Sequence, residues 1–276
     1  MSAAVASANG TSYALRKFLR TPKGLLLPVL GLLTFAGLWT AGAAGLASVA
    51  VAVTVAAAVD VALAVASRGV WEFPIAAVLS GLIVALVLAP EEPLIAVGVT
   101  SGLAIVSKQF FRTRTANVFN PAALALVVAA LAFSSAQSWW GALPDLGLAG
   151  VALVLATGVY IASYVNKLPA VLAFLGLYFF LFTFGAVFGD PSRVAEVFRP
   201  PDVNAALFFA CFMLDDPPTC PVRYRDQVMF GGVVASVSFM VFVVLGGVYF
   251  LLAGLLAGNL WEALRRTLQA RSRAPA

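Results

Sequence analysis

The chain has 276 residues, of which 62% are hydrophobic and 11% charged, with a formal net charge of +5 and no histidine. Soluble domains carry roughly 25% charged and 45–50% apolar residues, so the composition excludes an ordinary soluble fold and indicates an all-α integral membrane protein. Lack of histidine removes the commonest metal ligand and histidine-based acid–base catalysis.

A bilayer core about 30 Å thick takes ~20 apolar residues per helix. In chain order, the apolar runs predict about ten transmembrane segments near 24–40, 43–66, 74–89, 94–106, 121–134, 147–164, 168–188, 203–214, 228–245 and 249–264. Residues 1–23 form a basic N-terminal stretch, 24–264 a single polytopic membrane domain, and 265–276 a basic tail. The first run is long for a secretory signal and further spans follow at once, so an uncleaved first helix is expected. Placing the N-terminus in the cytoplasm puts fifteen of the seventeen Lys and Arg residues on the inner side, leaving Arg193 and Arg199 outside. Such a bias is what orients membrane proteins. The expected location is the inner (plasma) membrane, with both termini cytoplasmic and the lipid bilayer as the main partner. The basic residues punctuate apolar runs and form no continuous face, so nucleic acid is not an expected partner.

The segments near 94–106 and 203–214 are too short to cross a bilayer alone. Short or Pro-interrupted segments accompany a central site in inverted-repeat proteins. LIVALVLAPEEP at 82–93 resembles LFFACFMLDDPP at 207–218, and Asn120 and Asn259 fall at the fifth and tenth segments. This suggests an inverted repeat, although acids and prolines also end ordinary membrane helices. Pro74 and Pro121 open runs, and Pro28 and Pro169 are expected in first turns, where a missing N–H matters little.

Two polar interruptions carry the candidate chemistry. In KQFFRTRTANVFNP, Lys108, Arg112 and Arg114 precede Asn120-Pro121, a strong helix start. The free N–H groups and positive dipole end of such a start favour an anion. Lys108, Arg112, Arg114, Asn120 and Pro121 are therefore candidate ligands of a phosphorylated cofactor, flavin mononucleotide above all. The plainer reading is a basic cytoplasmic loop. In MLDDPPTCP, Asp215 and Asp216 end a short apolar run and three prolines forbid regular helix. The acids are candidates for binding a cation or proton, or for pairing with Arg223 or Arg225. An ordinary interhelical loop is the alternative. Asp60 lies within an apolar run, where a carboxylate is expensive and marks a functional site by default; a snorkelling group paired with Arg68 accounts for it equally. Cys211 and Cys220 lack C-x-x-C spacing, which excludes a disulfide framework and a complete four-cysteine iron–sulfur site within one chain. They are expected to be free thiols. No residue is nominated as catalytic or as a metal ligand, and nucleotide-binding and hydrolase signatures are absent.

These stretches resemble a known family. SKQFFRTRTANVFNPAALAL, LFFACFMLDDPPTCPVRYRDQVMFGG and LLAGNL are similar to motifs of the B subunit of sodium-translocating NADH:quinone reductase and the D subunit of Rnf electron-transport complexes. The resemblance implies ten helices in a urea-transporter-like inverted repeat, and flavin-assisted electron transfer coupled to Na⁺ or H⁺ movement. It carries over to Lys108, Asn120, Pro121, Asp216, Pro217, Thr219 and Pro221, with Asp215 in place of the usual threonine. Family members in those complexes usually bear an S-G-A-T-like threonine that bonds flavin mononucleotide covalently. This sequence has none, so FMN or riboflavin is expected to be held non-covalently if at all. The expected function is a membrane subunit of an Nqr- or Rnf-like redox system, working with other membrane or redox subunits. A small-solute channel or transporter on the same scaffold, without redox activity, is the alternative.

Overall fold

The computed structural model of the chain describes residues 17–113, 116–189 and 191–271. Among them there is no strand, only two isolated bridges, Leu88 with Gln137 and Arg112 with Asn117. The helices are α1 (Pro22–Arg68), α2 (Ile75–Val87), α3 (Leu94–Phe110), α4 (Pro121–Phe133), α5 (Gly147–Tyr164), α6 (Leu168–Phe188), α7 (Pro191–Ala195), α8 (Asp202–Phe212), α9 (Tyr224–Leu245) and α10 (Phe250–Arg271), with single 3-10 turns at Trp140–Ala142, Pro144–Leu146 and Glu196–Phe198.

α1 holds two membrane segments. Gly42 breaks it with φ 57° and ψ −145°, a conformation that suits glycine because a Cβ would clash. Thr21, Pro22, Lys23 and Leu26 share a cavity with Ala76 and Ser80, yet Ala56 packs on Ala77. A straight helix would hold residues 22 and 56 roughly 50 Å apart at 1.5 Å per residue, so the chain doubles back at Gly42. With limbs 22–41 and 43–68 counted separately and the short α7 set aside, the described chain has the ten apolar segments read from the sequence.

Individual boundaries have local causes. Thr21 caps α1, its hydroxyl accepting from the Gly24 N–H at 3.0 Å, with Pro22 as first helical residue. That start places Pro28 inside the helix, one turn deeper than the first-turn position expected of it. Gly69 and Gly246 end α1 and α9 in the left-handed region, their N–H groups returning to Val65 and Phe242. α3 runs to Phe110 and carries Lys108 in its last turn; it is longer than the 94–106 run because Ser107 to Phe110 continue the helix. Among the ten segments the short helices are α2 and α4, at 13 residues each, and α8 at 11. At ~1.5 Å per residue they span about 20 Å or less, well under the bilayer core.

Four helices, at Pro22–Arg68, Trp140–Tyr164, Leu168–Phe188 and Tyr224–Leu245, are long and apolar enough to cross a membrane. Large apolar side chains such as Phe35, Trp39, Ile95 and Leu148 face outward, while Asn120, Asn204, Asp215, Gln227, Asn259 and Glu262 are buried. Apolar outside with polar residues inside is the arrangement that lipid demands. The chain is a multi-pass membrane protein.

Packing sets the short helices at the centre. The 43–68 limb packs on α2 and α3, α3 on α4, α6 on α9, and α9 on α10, while α4 meets α10. Close approach depends on glycine: a Cβ on Gly231 of α9 would lie 2.5 Å from the Ala170 carbonyl of α6. The segment after α4 folds inward, burying Trp139, Trp140 and Leu143. Trp140 Nε1 donates to the Ala85 carbonyl at 2.7 Å and the Trp139 N–H to that of Val87 at 3.1 Å, which closes the bundle beyond the end of α2.

Candidate functional site

The two polar interruptions meet. Asn120, immediately before α4, caps that helix by accepting the Ala123 N–H on Oδ1 at 3.1 Å. Its Nδ2 donates to the Met213 carbonyl at 3.3 Å, where α8 has just ended. Its own N–H donates to Oδ1 of Asn259, midway along α10, at 2.8 Å. One buried asparagine thus joins the start of α4, the end of α8 and the middle of α10.

Beside this junction lies a cavity of ≈ 500 Å³. Its walls are mainly apolar, from Leu26, Leu79, Ile83, Ile161, Val165 and Phe212. Its polar lining comprises Thr21, Lys23, Ser80, Lys108, Asn117, Asn120, Asp215 and Asp216. Lys108 Nζ donates to Ser80 Oγ at 3.1 Å and to the Ala76 carbonyl at 3.4 Å, so neutral groups hold a charge that helix α3 delivers into the bundle. Asp60, Asp216 and Lys23 are the charged groups acting on it.

The 213–221 loop forms the facing wall. The Asp216 carbonyl accepts the N–H groups of Thr219 and Cys220 at 3.1 and 2.9 Å, a tight turn. Thr219 Oγ1 donates to Asp216 Oδ2 at 3.2 Å. Asp215 is 4% exposed, and its Oδ2 has no partner among the described residues. Burial pushes both carboxyls up; Asp216 reaches about 6 because the Thr219 bond and the charges of Lys108, Lys23 and Lys167 offset part of the desolvation.

The loop is braced from behind by residues that the sequence reading did not single out as site residues. Lys167, 5% exposed, donates to the carbonyls of Pro221 at 2.5 Å and Cys220 at 3.2 Å. Arg266 of α10 donates to Pro218 O at 3.0 Å and Cys220 O at 3.3 Å. Glu262, one turn earlier and nearly fully buried, receives Arg266 Nε at 2.6 Å and Arg265 Nε at 2.7 Å, and Arg265 reaches Asp226 at 2.6 Å. The local signal for Glu262 is an acid two residues before the end of the predicted tenth segment, followed by two arginines. Lys167 shows no local signal beyond its charge, since its partners lie 53 and 54 residues away.

The named candidates divide as follows. Lys108, Asn120, Pro121, Asp215 and Asp216 line the cavity. Thr219 is buried behind Asp216. Arg112 is exposed in a small closed turn, where Thr113 and Val118 N–H groups bond to Ala116 and Phe111, and is not part of the lining. Arg114 lies outside the described residues. Asp60 is half-buried on the 43–68 limb and away from the lining; Arg68, offered as its partner, instead meets Glu72 at 3.6 Å. Arg223 and Arg225, offered as partners of the acid pair, are exposed and bond to neither acid among the described residues. Cys211 and Cys220 are free and buried.

Residues 23–156 match the model of the NQR2, RnfD, RnfE family. The matched stretch supplies Lys23, Ser80, Lys108 and Asn120 to the cavity; the Asp215–Asp216 wall lies beyond it. No curated protein matches the chain.

Proposed function

Since the chain belongs to the NQR2, RnfD, RnfE family through residues 23–156, we propose that it is a membrane subunit of an Nqr- or Rnf-like electron-transport system that holds a flavin non-covalently in the central cavity. The observation that carries this reading is the convergence of Lys108 and Asn120 from one polar interruption and Asp216 from the other on one cavity of ≈ 500 Å³. That volume lies within the range of small-molecule sites, about 300–1,000 Å³, and the lining has their usual character, apolar walls with a few convergent polar groups. The residues present suit a flavin: apolar walls for its ring body, and Lys108, Asn117 and Asn120 for its polar atoms, with a buried carboxylate oxygen awaiting a partner. Bound there, a flavin would supply electron transfer; the chain's own part is to position it and exclude water. Coupling to Na⁺ or H⁺ would rest on the buried acids Asp215 and Asp216 and on Asp60.

An inverted repeat of two five-segment halves belongs to the same proposal. The third and eighth segments, α2 and α8, are both short, and each is followed by acids and proline. The second and fourth segments pack together as the seventh and ninth do, and the fourth meets the fifth as the ninth meets the tenth.

Protein purified from flavin-replete cells should be yellow, with a flavin absorption band. Lys108→Met should lose the band, while Arg112→Ala, outside the lining, should keep it. Colourless wild-type protein overturns the proposal.

A further inference from the structure

The cavity holds basic and acidic groups that do not pair. Lys23, Lys108, Asp215 and Asp216 all line it, and no ion pair joins any two of them among the described residues. Lys108 leans on Ser80 Oγ and the Ala76 carbonyl. Asp216 takes the Thr219 hydroxyl, and Asp215 Oδ2, on a residue 96% buried, takes nothing. Within an apolar enclosure opposite charges attract strongly, and a buried charge left unmatched is costly. Groups held apart in this way match an occupant that lies between them.

The lining limits what that occupant is. A free anion would satisfy the lysines and be repelled by the acids. A bare metal ion would meet the acids and oppose the lysines, and no cluster of three or more His, Cys, Asp or Glu side chains exists among the described residues to hold one. The apolar walls require an apolar body. We infer that the cavity takes an amphoteric heteroaromatic ligand whose polar edge presents a hydrogen-bond acceptor to Lys108 and an N–H donor to the Asp215–Asp216 pair. This rests on the proposal that a flavin occupies the site, and adds which edge the protein reads: an imide edge, with N–H between two carbonyls. A quinone, which offers acceptors alone, leaves Asp215 unmatched.

The test compares ligands that differ at one atom. The full chain, purified in detergent and freed of bound flavin, is titrated with riboflavin and with riboflavin methylated at its imide nitrogen, by quenching of flavin fluorescence. Leaving a buried acceptor unpaired should weaken binding of the methylated form by about tenfold or more. Asp215→Asn should narrow that gap. Lys108→Met should weaken both flavins by the same factor, because both retain the carbonyl. Menadione, an acceptor-only quinone, should fail to displace riboflavin. Equal binding of the two flavins by the wild-type chain, or displacement by menadione, overturns the inference while flavin occupancy stands. Absence of riboflavin binding brings down the flavin reading and this inference with it. The wild-type comparison needs no substitution, so a poorly folding variant does not decide the result.

Discussion

The Asn120 N–H donates to Oδ1 of Asn259 at 2.8 Å across 139 residues of chain. An unpaired buried donor loses about 1–3 kcal/mol, so Asn259→Leu should destabilise the protein by that amount. Asn120→Ala removes the cap of α4, worth about 0.5–2 kcal/mol, together with the bond to Met213. Because the two residues share one network, the double variant should lose less than the sum of the single losses. Thermal unfolding in detergent measures all three, and strict additivity would show that the contact carries no coupling.

Asp216 sets a pH dependence opposite to ordinary acid denaturation. Its folded carboxyl sits at about 6, above its ordinary value of 3.8, so the native state binds more protons across that window. Stability is then fullest below about 4 and declines as pH rises through about 6. Asp215, also pushed up by burial, acts with the same sign. The melting temperature of the ligand-free protein should therefore rise as pH falls from about 7.5 to about 5.5. Asp216→Asn should flatten that slope, and a wild-type melting temperature that drops over the same interval would contradict the assignment.

Charge placement predicts the orientation in the membrane. Arg199 and Arg225 are both exposed and fall on opposite sides of the expected topology. Both native cysteines are buried, so background labelling should be low. On intact cells a membrane-impermeant maleimide should modify the Arg199→Cys variant and spare Arg225→Cys until the membrane is opened. The reverse pattern would invert the topology.

Hydropathy made the ten segments legible because lipid allows few alternatives to an apolar helix. It misjudged individual lengths where polar residues continue a helix. Lys108 reads as loop in the sequence, yet Ser107 to Phe110 extend α3 and carry the ammonium into the bundle. The break at Gly42 was visible as a boundary between two runs. Asn120 announced itself through the proline after it, and Asn259 through its matching segment number, but no sequence rule would have placed one against the other. Lys167 and Arg266 looked like members of the cytoplasmic charge bias. Their bonds run to backbone carbonyls of the 213–221 loop, and a carbonyl acceptor leaves no mark in the residue type. That bracing became readable only once the fold was in hand.

The last turns of α10 reach back to the loop through Arg266, with Glu262 steering that arginine. The end of this helix is therefore part of the cavity's outer frame. A reporter joined after residue 271 leaves the frame whole, whereas a chain shortened to residue 261 drops the guanidinium and carboxylate together and frees the proline-rich wall on that side.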